Sequence, residues 1–81
     1  MEFRAKEAIY LQIASYASEK ILDHQWPPGE KIPSVRYLAN ELKVNPNTVM
    51  RSYEYLKSQG VVYNKRGIGF FPVPDAAFVV H

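Results

Sequence analysis

The chain has 81 residues, no cysteine and a net charge of +2. That length makes one small domain, able to bury roughly 60% of its unfolded surface, and the missing thiols exclude disulfides and cysteine-held metal sites. No run approaches the ~20 apolar residues of a membrane-spanning helix and the N-terminus MEFRAKEAIY has no apolar stretch like a signal peptide, so a soluble, cytoplasmic protein with no membrane partner is expected.

Residues 1–7 are polar and read as a flexible N-terminus, with Phe3 as the one candidate anchor. From Ala8 to about His24 the apolar positions Ile9, Ile13, Tyr16, Ala17 and Ile21 recur at helical spacing, with Leu22 beside them. This first helix closes one side of the core. Gln25 to Pro33 (QWPPGEKIP) then places three prolines and a glycine in nine residues, which forbids a helix and sets up a tight turn. Trp26 is expected to pack against the helices, and Lys31 with Ile32 to form a short strand. His24 reads as a helix-end residue, because no second histidine or carboxylate lies at metal-ligand spacing.

The central stretch SVRYLANELKVNPNTVMRSYEYLKSQG runs from Ser34 to Gly60 and parses as two helices joined by a tight break. Ser34 caps the first, whose stripe is Val35, Leu38, Ala39 and Leu42. Lys43 and Val44 make the turn, where many such motifs place a glycine. Asn45 and Pro46 announce the second helix as an N-cap followed by proline at the first helical position, and Gly60 ends it in the left-handed region. Val49, Tyr53 and Leu56 face inward. At ~100° per residue Asn47 and Arg51 point away from that stripe, with Thr48 and Tyr55 flanking them. A second helix that exposes polar side chains in its first turns describes a helix-turn-helix, whose second helix enters the DNA major groove. An ordinary helical hairpin gives no reason for the polar cluster.

After Gly60 the period changes to two: Val61–Asn64 forms one strand and Phe70–Val73 another. Between them KRGIG lets Gly67 and Gly69 turn the chain and sets Lys65 and Arg66 at the tip. Such a hairpin is the wing of a winged helix, and a basic tip of this kind touches phosphates or the minor groove. The fold class is therefore mainly α with a small β-hairpin: a winged helix-turn-helix of three helices plus wing over residues 8–74, with the recognition helix at about 46–59 and the wing at 64–70. Charge follows the same division. Residues 1–30 carry a net −2 and residues 31–66 a net +5, so positive charge gathers on the segment with the helix-turn-helix pattern. The tail 75–81 holds apolar Ala77, Phe78, Val79 and Val80; it reads as the start of a missing or short dimerisation extension, with His81 an exposed end. No P-loop, paired-carboxylate pocket, histidine pair or GxSxG turn is present, so neither an enzyme nor a cofactor is expected.

The run IYLQIASYASEKILDHQWPPGEKIPSVRYLANELKVNPNTVMRSYEYLKSQGVV, followed by KRGIGFF, resembles the DNA-binding domain of GntR-type bacterial transcription regulators. The VNPNTVMRSY form of the second helix is most similar to the YtrA-like subgroup. The resemblance covers about Ala8 to Pro74. It implies that Arg36 meets DNA from the first motif helix, that Asn45, Asn47, Thr48 and Arg51 lie along the recognition helix, and that Gly67 stands where the wing nears the minor groove. Pro46 and Met50 depart from many larger members, which carry basic residues there. The DNA-facing set is thus Ser34, Arg36, Asn45, Pro46, Asn47, Thr48, Arg51, Lys65, Arg66 and Gly67.

Geometry assigns roles within that set. Asn47 suits bidentate contact with adenine and Arg51 with guanine. Thr48 and Asn45 can donate to phosphate where backbone amides also favour an anion, and Arg36, Lys65 and Arg66 supply salt-dependent phosphate contacts. One monomer offers too few contacts for tight operator binding, so a homodimer on a palindromic double-stranded operator is the expected working form. The resemblance further implies a C-terminal part that dimerises and often senses a small effector, short and helical in YtrA-like members, which often control neighbouring transporter genes. The competing reading is a winged helix that binds protein through Tyr37, Tyr55 and the apolar tail, without DNA contact; steep salt dependence separates the two.

Overall fold

The computed structural model describes Phe3 and residues 6–74. The expectations for the tail 75–81 lie outside the described residues. Three helices come first, α1 (Ile9–Leu22), α2 (Val35–Leu42) and α3 (Pro46–Ser58), followed by the strands β1 (Val62–Lys65) and β2 (Gly69–Pro72).

α1 buries Gln12, Ile13, Ala14, Ala17 and Ile21. Its apolar stripe is shorter than the periodicity predicts, because Ile9 and Leu22 remain 43% and 37% exposed at the two ends. Gln12 takes an inward place instead, its amide donating to the Glu7 carbonyl at 2.8 Å, so the buried polar group is satisfied. α2 contributes Leu38 and Ala39 to the core, with Val35 and Leu42 half-buried against it. α3 contributes Val49, Ser52, Tyr53 and Leu56, and both other helices pack on it. Trp26 is half-buried with its ring edge-on to Tyr16, centroids 6.3 Å apart, as expected of a bulky residue in a turning segment.

All three helices stop by the same device. A residue in the left-handed region follows the last turn, and the next amide reaches back to a carbonyl five residues earlier. For α3 the residue is Gly60 (φ 77°), with Val61 N–H donating to Leu56 C=O at 3.0 Å. For α2 it is Lys43 (φ 57°), with Val44 N–H on Ala39 C=O at 3.0 Å, and for α1 it is His24 (φ 59°), with Gln25 N–H on Lys20 C=O at 3.0 Å. Lys43 thus does the work that glycine does in many such turns, at a steric cost of roughly 1–2 kcal/mol that glycine avoids. Lys43→Gly is expected to stabilise the fold by about 0.5–1 kcal/mol, once glycine's greater unfolded-state entropy is deducted. A thermal melt should show a midpoint a few degrees higher.

The hairpin is antiparallel, with Val62 opposite Pro72 and Lys65 opposite Gly69. Its strands begin one residue later than the alternation predicts for β1 and end one residue earlier for β2. Val61 N–H is committed to capping α3, so its carbonyl alone joins the hairpin, accepting from Val73 N–H at 3.0 Å. Lys65 correspondingly belongs to the strand and not to the tip. Lys31 and Ile32 do not form the expected strand. Ile32 N–H makes one ladder-like bond to Phe70 C=O at 2.9 Å, but Pro33 has no N–H to continue and Ser34 already opens α2.

Candidate nucleic-acid interface

The second helix of the motif presents its polar side because its other side is the core. Val49 and Tyr53 are fully buried, while Asn47 and Arg51, about half a turn away, are exposed. Asn45 and Pro46 fix where this helix starts. Asn45 Oδ1 accepts from Asn47 N–H at 2.8 Å, and Asn45 C=O accepts from Thr48 N–H at 2.9 Å. Pro46 has no N–H to offer. The first-turn amides of α3 are therefore engaged, and the amide cradle for an anion expected there is already filled. What remains for a ligand is the side chains: the Asn47 amide, the Thr48 hydroxyl, the NH₂ group of Asn45 and the Arg51 guanidinium.

Asn47, Thr48 and Arg51 line one shallow depression together with Ile9 and Tyr10 from the first turn of α1. The Arg51 guanidinium lies over the Tyr10 ring, 4.0 Å from its centroid. Sequence reasoning passed over Tyr10, because its place off the buried stripe gives no sign of what it meets on another helix.

The other candidate residues sit elsewhere on the surface. Ser34 caps α2, its Oγ accepting from Tyr37 N–H at 3.1 Å, and Arg36 is exposed in the turn that follows. Ser34 borders a separate depression with Trp26 and Tyr37. Arg66 and Gly67 (φ 80°) form the exposed hairpin turn. Lys65 lies beside them at the end of β1, with its ammonium 5.1 Å from the centroid of the Phe71 ring. Tyr63 stacks on the same ring, centroids 5.7 Å apart, so the buried Phe71 ring is flanked by an exposed aromatic and a cation.

The wing is held against the body from two sides. On its inner face Phe70 meets Tyr53 edge-on, centroids 5.3 Å apart. From the side, Ile32 bonds Phe70, and the aliphatic stem of Lys31 crosses Gly69 so closely that a Cβ there would sit 2.7 Å from Lys31 Cδ. Gly69 is at φ 145°, a conformation that side chains rarely adopt. Among the described residues no helix is long and apolar enough to cross a membrane, and no group of three potential metal ligands occurs.

Comparison with known proteins agrees with this architecture. Residues 9–71 match the family described as bacterial regulatory proteins, gntR family. The HTH-type transcriptional regulator YhcF of Bacillus subtilis is 40% identical over 78 residues, covering 96% of this chain and 64% of YhcF. The HTH-type transcriptional repressor YtrA of the same organism is 40% identical over 68 residues, covering 84% of this chain and 52% of YtrA. This chain therefore spans between half and two thirds of the length of these two relatives. Among solved structures, the DNA-binding domain of AraR in complex with operator ORR3 superposes with a TM-score of 0.80 at 26% identity, covering 90% of this chain and 88% of that one. Three helices, a two-stranded wing and the matched residues together place this chain in the GntR family of bacterial regulatory proteins, as a winged helix-turn-helix of the kind found in YtrA.

Proposed function

We propose that the chain reads double-stranded DNA as a transcription regulator, with α3 in the major groove and the hairpin turn at the adjacent minor groove or backbone. The observation that carries this reading is the polar group of exposed Asn47 and Arg51 with half-buried Thr48 on the first two turns of a helix anchored by its opposite face. The similarity to a domain crystallised on its operator supports it. Asn47 and Arg51 serve as base readers. Asn45, Thr48, Arg36, Lys65 and Arg66 serve as phosphate contacts, while Ser34, Pro46 and Gly67 shape the backbone beside the duplex. One copy offers too few contacts for tight operator binding, so a homodimer on a palindromic site is the working form. Repression is the mode that the likeness to YtrA favours.

The test is selection of bound fragments from random genomic duplexes at low and physiological salt. Enrichment of a two-half-site palindrome supports the reading, whereas absence of binding at either salt overturns it in favour of a protein-binding winged helix. Arg36→Ala is expected to weaken binding to all sequences alike. It should also reduce the slope of log K against log salt by about 1 per protomer. An unchanged slope in a fluorescence-anisotropy salt titration removes Arg36 from the phosphate contacts.

A further inference from the structure

We infer that Tyr10 on α1 is a positioning residue for DNA reading: its ring holds the Arg51 guanidinium in the orientation that presents it to a base. This rests on the DNA-binding function proposed above and adds to it a residue from outside the helix-turn-helix.

The Tyr10 ring is itself fixed. Its backbone carbonyl accepts from the fully buried Ser52 Oγ at 2.8 Å, and its ring meets Tyr55 edge-on with centroids 6.0 Å apart. Ser52 and Tyr55 are the residues one and four positions after Arg51 on α3. The helix that carries the arginine thus also locks the ring on which the arginine lies. Arginine is a long side chain with many rotamers, and a solvent-exposed one wanders unless something holds it. A flat guanidinium whose carbon lies over the ring face, 4.0 Å from the centroid, is held there without using any of its hydrogen-bond donors. Its N–H groups all point outward in its own plane, which is the geometry that a bidentate base contact requires. Among the described residues no hydrogen bond occupies those N–H groups. The stack also sets the guanidinium in the same depression as Asn47 and Thr48, so the two base readers are held side by side before DNA arrives.

The experiment compares the native protein with Tyr10→Phe, Tyr10→Leu, Arg51→Ala and the Tyr10→Leu/Arg51→Ala double variant, each checked by thermal melting. Tyr10→Met stands in if Tyr10→Leu fails to fold. In NMR spectra of the free protein, the Arg51 side-chain protons should be shifted upfield by the ring. That shift should persist in Tyr10→Phe and vanish in Tyr10→Leu. On the selected operator Tyr10→Phe should match the native protein. Tyr10→Leu should lose about 3- to 10-fold in affinity per half-site, confined to the base pair at which Arg51→Ala also loses discrimination, and it should add nothing in the Arg51→Ala background. Equal loss on every sequence, or full additivity with Arg51→Ala, would show that Tyr10 only supports the fold. Unshifted Arg51 protons in the native protein overturn the inference whatever the DNA data show. If the shift is present but no operator is selected, the DNA-binding function has failed, and the base-reading role of the stack falls with it.

Discussion

Tyr53→Ala is expected to lower the thermal melting midpoint by at least ~12 °C. Tyr53 is fully buried where all the layers meet: on α3, against the core residues of the other helices, with Phe70 of the wing at its edge. Removing an aromatic side chain from such a site costs about 3–5 kcal/mol, and an 81-residue domain has roughly 4–12 kcal/mol in total. Tyr53→Phe isolates a smaller part of the same site. It keeps the ring and deletes the hydroxyl that donates to the Pro33 carbonyl at 2.8 Å, a loss of about 1 kcal/mol and several degrees in melting midpoint. pH gives a second reading of the same residue. Burial, with a smaller contribution from Tyr16, pushes the Tyr53 phenol well above its ordinary value. The unfolded chain therefore ionises there first, near pH 10. Stability from this group is full below that pH and falls as pH rises beyond it. Circular dichroism melts from pH 7 to pH 11 should show Tyr53→Phe losing less stability over the alkaline part than the native chain.

Asn47→Ala should have the opposite signature, with stability unchanged and recognition largely lost. The side chain is exposed on α3, and the cap bond at this position uses the backbone N–H, which alanine retains. Its melting midpoint should stay within the scatter of neutral surface changes, about 0.5 kcal/mol. A bidentate amide–adenine contact is worth about 1–3 kcal/mol, and the proposed homodimer would make it twice. Operator affinity should then fall by at least ~30-fold and by as much as ~10⁴-fold, with little change on non-operator duplexes. Anisotropy titrations on the operator and on a scrambled duplex measure both numbers. Equal affinities of Asn47→Ala and the native protein for the operator would remove Asn47 from the base readers.

Much of this molecule was legible in the chain because its signals are local. Ser34 and Asn45 are N-caps that bond where caps must, and the stripe Val49, Tyr53, Leu56 needs only the helical period to be found. The misjudged places depend on competition between neighbours. Val61 looks like a strand residue by alternation, yet its N–H is taken by Leu56 C=O, so pairing starts at Val62. Ile32 has the right side chain for a strand, but Pro33 stops the ladder after one bond. Ile9 continues the apolar period to the first residue of α1, yet it stays 43% exposed on the edge of the depression beside Asn47 and Arg51. Of the candidate site, the residue types on α3 were legible and their mutual arrangement was not. Tyr10 and Arg51 are 41 positions apart, and only the crossing of α1 over α3 brings ring and guanidinium together.

The close passage of Lys31 over Gly69 has a consequence for how tightly such a hairpin can grip. Two strands of four residues are marginal alone, and a loose one would surrender its freedom each time it met a duplex. Here that freedom is surrendered once, during folding, through Phe70 under the wing and Lys31 and Ile32 beside it. The contact proposed at Gly67 and Arg66 would then immobilise little beyond the arginine side chain, so more of its strength would survive as affinity.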